Sequence, residues 1–385
     1  MNNNRRTFIK KGATLAAAWS IASTSSAKLN PFVRHVKSTV QLSEFAKDAG
    51  MEMSNAYFAG IEPSRQLIAL AKQMNAFGAV AGINPHLAGL TDVKPWEYKA
   101  IAGVKDAWKK EGLNYNVVEG PPSLGEKTKL GLAGRDEEIE NFITFMRNLK
   151  KAGVDVICYN WMPVISWMRT KMDSPGRGGA LVTAFDYDEV KNKPLTQYGE
   201  VSKEMMWKNL EYFLKAVVPE AEKVEMKLAL HPDDPQVDSI QGISRIMNTV
   251  ESFDRMLNIV PSDFNGVTMC QGNFSLMGVN IPDLVRRWGK AGKIHFVHFR
   301  NVQDLSGVLP STKFTETFHD EGQIDMYEAM KAYYDIGFKG AIRPDHVPTM
   351  AGEENTRPGY MTLGNLFAIG YMRGLAEAVV KNAHG

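Results

Sequence analysis

Cysteine is nearly absent from this sequence: Cys158 and Cys270 are the only two in 385 residues. A disulfide-stapled scaffold is therefore excluded, and in an oxidising compartment a single bridge between them is the most the chain could form. Charge of one sign is missing too. Lys and Arg number 45 against 43 Asp and Glu, a formal net charge of +2 with no long basic run, which argues against nucleic acid as a partner. No apolar run reaches the roughly 20 residues of a membrane-spanning helix, so no stable span is expected in the mature chain. What is present is an ordinary 44% of hydrophobic residues, enough for a sizeable core. The length suits one large domain, because α/β barrels exceed ~200 residues as single units.

The first 27 residues differ from the rest. "MNNNRRTFIKKG" followed by "ATLAAAWSIASTSSA" has a basic start, a weakly apolar stretch and small residues before an expected cut after Ala27. The run Arg5-Arg6-Thr7-Phe8-Ile9-Lys10 resembles a twin-arginine export signal, which implies a periplasmic protein. If the segment is only a basic tail, the chain is cytoplasmic. Residues 28–50 read as an N-terminal extension.

From about residue 51 the pattern becomes a repeat of apolar strand and amphipathic helix. Strands are predicted at 53–60, 77–84, 113–120, 154–162, 226–233, 265–273, 293–301 and 340–347. Helices are predicted at 63–74, 95–111, 135–151, 202–224, 240–256, 281–291, 324–336 and 363–381. Several close on glycine, as in "KKEG", "KKAG" and "YDIG". Near-continuous apolar strands are what parallel strands covered on both faces require. Eight such units predict a single (β/α)8 TIM barrel over 51–385. The connection from about 163 to 200, carrying "SPGRGGA", is long for a barrel loop and reads as a lid or partner-contact segment.

In such a barrel the site forms at the C-terminal ends of the strands. The last four predicted strands end in His231, Cys270, His298 and Asp345. One strand-end histidine is ordinarily structural, but four consecutive ends of this chemistry point to a divalent metal. Imidazole and thiolate suit zinc, iron or cobalt, and the carboxylate admits manganese. A ligating Cys270 would leave the two cysteines unbridged. Glu119, Asn160, Arg300 and Arg343 gather at the same end as candidate substrate-binding groups. Each arginine is either a structural ion pair or a bidentate partner for an anionic substrate. His346 follows Asp345 directly, and "RPGY" places Tyr360 on a turn before the last helix. A histidine and a tyrosine beside a metal form a candidate acid/base pair.

The motifs "VICYNWMPVISWMRT", "LALHPDDP", "TMCQGN", "VHFRN", "RPDH" and "RPGY", in that order and spacing over about 112–378, resemble the mannonate dehydratase family. The resemblance implies a xylose isomerase-like barrel and a manganese- or iron-dependent dehydration of D-mannonate to 2-keto-3-deoxy-D-gluconate. It places the family's metal ligands on His231, Cys270, His298 and Asp345, and its acid/base residues on His346 and Tyr360. One departure is visible. Near the end of the second strand, where the family carries adjacent histidines, this chain reads "GINPHLAG", with Asn84-Pro85 in their place. A small sugar acid is the expected partner and a homodimer the expected assembly. The alternatives are a metal-dependent sugar isomerase or epimerase in the same barrel, and an exported sugar-acid binding protein.

Overall fold

The computed structural model describes residues 49–384. The twin-arginine segment and nearly all of the 28–50 extension lie outside them. The described chain begins with β1 (Glu52–Ala56), α1 (Arg65–Gln73), β2 (Gly78–Ala81), α2 (Tyr98–Lys110), β3 (Asn114–Glu119), α3 (Glu126–Leu130), α4 (Arg135–Lys151) and β4 (Val156–Asn160). It continues through β5 (Lys171–Pro175), β6 (Leu181–Asp186), α5 (Lys203–Val224), β7 (Lys227–His231), β8 (Ser239–Ile240), β9 (Ile243–Ser244), α6 (Val250–Ile259) and β10 (Asn265–Cys270). The remainder is α7 (Gln271–Leu276), α8 (Ile281–Lys290), β11 (Ile294–Phe299), β12 (Val302–Asp304), β13 (Lys313–Glu316), α9 (Met326–Asp335), β14 (Ala341–Pro344) and α10 (Thr362–His384).

Strands β1, β2, β3, β4, β7, β10, β11 and β14 pair in parallel and close into a barrel. All eight overlap the predicted strands, so the (β/α)8 expectation holds. Side-chain alternation explains the closure. Leu228 and Leu230 of β7 pack outward in the main core under the helices, while Ala229 joins Val117, Cys158 and Phe296 inside the barrel. Each such leucine, valine or phenylalanine side chain buried from water contributes about 1.5–3 kcal/mol. The same period carries polar residues inward at the strand ends: His231 follows Ala229, His298 follows Phe296, and Glu119 follows Val117 by two.

The helices follow from their sequences. In α4, Ile139, Phe142, Ile143, Met146 and Leu149 form the buried stripe, acidic Asp136, Glu137 and Glu138 open it, and Lys150 and Lys151 close it, as the helix dipole favours. Gly112, Gly153 and Gly337, just past three helix ends, all have positive φ.

One expectation is corrected, and another gains detail. Residues 240–256 are not one helix: β8 and β9 form a hairpin turned by Gln241 and Gly242, both at positive φ, and α6 starts only after Thr249, whose Oγ1 accepts from Ser252 N. The 163–200 connection, expected as a lid or partner-contact segment, carries two strands of its own. Its "SPGRGGA" ends β5 and turns through residues 176–180 into β6, and β6 pairs with β13 in a four-stranded antiparallel sheet of order β12-β13-β6-β5. Among the described residues no helix is long and apolar enough to cross a membrane.

Candidate metal centre and active site

Strand register sets the site. Asn160 lies level with His231 across β4 and β7, Cys270 with His298 across β10 and β11, and His298 with Arg343 across β11 and β14. Ligand atoms of His231, Cys270 and His298 lie within 4.8 Å of one another. Asp345 joins them, its Oδ2 3.6 Å from His298 Nδ1 and 3.8 Å from Cys270 Sγ. Cys158 and Cys270 are both free and buried.

The donor set fits a divalent cation. His231 Nδ1 lies 2.6 Å from the Pro232 carbonyl, which can only accept, so Nε2 carries the lone pair. That Nε2 faces His298 Nδ1 at 3.2 Å. Two nitrogens sharing one ion at bonds of ~2.1 Å would stand roughly 3.0–3.4 Å apart. His298 Nε2 is buried without a hydrogen-bond partner, 3.5 Å from Glu119 Oε2, where a ligating histidine commonly turns its other nitrogen. Burial lowers the pKa of His231 and so favours the neutral ring that binds metal. Burial alone would raise the Asp345 carboxyl, but the Arg343 and Arg300 guanidiniums beside it hold it well below the usual range.

Above this cluster is a cavity of about 240 Å³, lined among others by Phe58, Asn160, Trp167, Arg343, His346 and Tyr360. It lies below the ~300 Å³ of drug-sized sites and suits a small polar ligand. The Tyr360 hydroxyl donates to Asp345 Oδ1 at 3.3 Å, and burial, with the Asp345 charge, pushes its pKa well above the ordinary value. The His346 backbone has φ +47°, a conformation that non-glycine residues keep only where the surroundings enforce it.

A family model described as D-mannonate dehydratase (UxuA) matches residues 51–197 and 190–384. This chain belongs to the D-mannonate dehydratase family. A mannonate dehydratase of Thermotoga maritima is 36% identical over 344 residues, covering 80% of this chain and 94% of that one. One of Streptococcus uberis is 36% identical over 315 residues, with coverages of 75% and 88%. The crystal structure of mannonate dehydratase from Streptococcus suis serotype 2 superposes with TM-score 0.76 at 31% identity, covering 87% of this chain and 95% of that one. An L-ribulose 3-epimerase structure, with TM-score 0.53 at 13% identity, shares the fold alone.

Within this family fold, the candidate substrate-binding residues separate. Glu119, Asn160 and Arg343 line the cavity; Arg300 does not. Its Nε and Nη2 donate to Glu316 at 2.9 and 2.6 Å, and its Nη1 to Asp234 at 2.9 Å and to Asn273 at 2.8 Å. Arg300 is thus a buried structural ion pair, which corrects its reading as a substrate contact. Arg343 is similarly engaged: its donors go to both Glu119 oxygens, to Asp345 Oδ1 and to the Pro344 carbonyl. Burial would raise Glu119, but the Arg343 guanidinium bound to both its oxygens holds it well below the usual range. Asn160 Oδ1 accepts from Lys129 Nζ at 3.1 Å. Asn84 caps the short turn Pro85–Ala88 through the His86 N–H, and none of residues 84–86 lines the cavity.

Sequence reasoning missed Trp167, Arg169, Asp234 and Glu316. The first three sit inside the motifs "SWMRT" and "HPDDP", where a search for buried charge could have raised Arg169 and Asp234, though not Trp167. Glu316, on β13, lies in no motif and carried no signal.

Proposed function

We propose that this chain dehydrates D-mannonate to 2-keto-3-deoxy-D-gluconate and water, using manganese or iron(II) held by His231, Cys270, His298 and Asp345. The observation that carries the proposal is the convergence of these four side chains from four successive barrel strands beneath a small cavity that His346 and Tyr360 also line. Family membership names the substrate.

The residues suit the chemistry. A proton α to a carboxylate is very weakly acidic, and a bound cation supplies the positive charge that offsets what builds up on that carboxylate. The other tasks fall to the chain. Removing the C2 proton and protonating the departing C3 hydroxyl need two groups, and His346 and Tyr360 are the titratable pair placed to divide them. The phenol, with its raised pKa, holds a proton at neutral pH. Arg343, bound to Asp345 and Glu119, keeps both carboxylates ionised.

The direct test is incubation of metal-loaded full chain with D-mannonate and, separately, with neutral aldoses and ketoses. A 2-keto-3-deoxy product from D-mannonate is expected. Interconversion of neutral sugars alone would point to an isomerase, and binding without turnover to a sugar-acid binding protein. The same proposal includes twin-arginine export and a homodimer, read by finding mature protein that starts near Lys28 in the periplasm and by light scattering.

A further inference from the structure

The side chains that hold His346 come from outside the barrel. We propose that Glu316, on β13 of the antiparallel sheet, is a positioning residue that fixes His346 as its Nδ1–H tautomer and so presents Nε2 as the acceptor of the C2 proton. The proposal rests on the dehydratase reading.

Donor accounting decides the tautomer. His346 Nδ1 has two polar neighbours, Glu316 Oε1 at 3.1 Å and Arg169 Nη2 at 3.2 Å. The first could only accept a proton from the ring; the second could only donate one to it. A guanidinium has five N–H bonds. The Arg169 Nε–H goes to Glu316 Oε1 at 3.2 Å, and the two Nη1 hydrogens go to the Met168 carbonyl at 2.8 Å and Asp234 Oδ1 at 2.6 Å. The two Nη2 hydrogens go to Asp234 Oδ2 at 3.0 Å and Glu316 Oε1 at 2.7 Å. None is left for the ring. Glu316 is ionised: burial would raise it, but the Arg300 and Arg169 guanidiniums bound to its two oxygens hold it well below the usual range. The hydrogen between ring and carboxylate therefore sits on Nδ1.

The other nitrogen is left open. Nε2 makes no hydrogen bond among the described residues, lying 3.7 Å from Asp345 Oδ1, and the ring lines the cavity. Trp167 and Tyr360 flank the imidazole with ring centroids at 5.4 and 5.6 Å, which restricts its rotation. A carboxylate behind one nitrogen of a histidine both sets the tautomer and stabilises the imidazolium that forms when the other nitrogen takes a proton.

The step balances. The Nε2 lone pair takes the C2 proton, the C2–H electrons form the C2–C3 double bond as the C3–O bond breaks, and the oxygen leaves as water with the Tyr360 hydroxyl proton. The resulting enol becomes the 2-keto product by gaining a proton at C3 and losing the one on the C2 oxygen. His346 and Tyr360 then exchange protons with water.

The test uses metal-loaded full chain carrying Glu316→Gln, Glu316→Asp, His346→Gln and the Glu316→Gln/His346→Gln pair. With D-mannonate, Glu316→Gln is expected to lower kcat by about 100-fold or more while KM moves less than about threefold. Glu316→Asp should recover part of the loss, and Glu316→Gln should cost nothing further once His346 is glutamine. A loss that persists undiminished in the His346→Gln background, or that falls on KM, overturns the proposal. Because Glu316 also pairs two buried arginines, a second readout avoids its variants. In zinc-loaded, 15N-histidine-labelled chain, the ring signals lost in His346→Gln should show a protonated Nδ1 and an unprotonated Nε2, and an Nε2–H tautomer or an imidazolium overturns the proposal. That spectrum needs no substrate, so a chain inactive on D-mannonate would sink the dehydratase reading while the tautomer still decides the role of Glu316.

Discussion

His231 Nε2 faces His298 Nδ1 at 3.2 Å, and the bond from His231 Nδ1–H to the Pro232 carbonyl turns a lone pair toward that gap. Two ring nitrogens held this way on rigid neighbouring strands suit a shared cation. Replacing His231 or Asp345 by alanine is expected to weaken metal binding by more than the 10–100-fold typical of losing an outer partner. Metal content after equilibrium dialysis, with circular dichroism to confirm folding, checks this. Full occupancy in either variant would contradict it.

Arg300 gives a different kind of prediction. Its guanidinium neutralises Glu316 and Asp234, with all three side chains buried. Arg300→Met leaves Arg169 alone against these two buried carboxylates, one negative charge in excess, and should destabilise the fold by about 3–5 kcal/mol. Urea unfolding reads the effect. A variant of normal stability whose only defect is a raised KM would restore Arg300 as a substrate contact.

These two sites mark how far the sequence could be read. The barrel was legible because apolar runs and glycine-closed helices repeat eight times, and His231, Cys270, His298 and Asp345 were legible because each ends one of those runs. Arg300 could not be assigned between ion pair and substrate contact, because two-residue spacing gives the face of a strand and says nothing about which charges meet there. Arg169, Asp234, Glu316 and His346 come from four separate segments, so nothing in their spacing announces the network. The hairpin at 239–244 was read as helix because its Gln241-Gly242 turn is only two residues long.

Tyr360→Phe removes one hydroxyl whose single hydrogen bond, to Asp345, is long at 3.3 Å. Little stability should be lost. If that hydroxyl supplies the proton to the departing oxygen, kcat should fall by about 100- to 10,000-fold with KM nearly unchanged. Steady-state kinetics beside a thermal melt separates the two effects.

Lys129, on α3, is a buried lysine beside the cavity wall, and burial pulls its pKa down to about 8 against the opposing charges of Glu138 and Asp233. The unfolded value is about 10.4, so between roughly pH 8 and 10.4 the unfolded chain holds more protons and stability rises with pH. Below pH ~8 the folded state carries the full penalty of a buried charge, on the order of 3 kcal/mol. Lys129→Met should remove this contribution. Urea midpoints at pH 7 and pH 10 should draw apart in the wild type by more than in the variant, and equal pH dependence would contradict the assignment.

The central claim is that one cation held by His231, Cys270, His298 and Asp345 supports dehydration of a sugar acid. The most direct measurement strips the full chain with chelator, restores manganese in steps, and follows bound metal together with the 2-keto-3-deoxy product formed from D-mannonate. The account predicts that product formation rises in proportion to occupancy and levels off at one ion per chain. Unchanged turnover in the stripped protein, or no product at full occupancy, would contradict it.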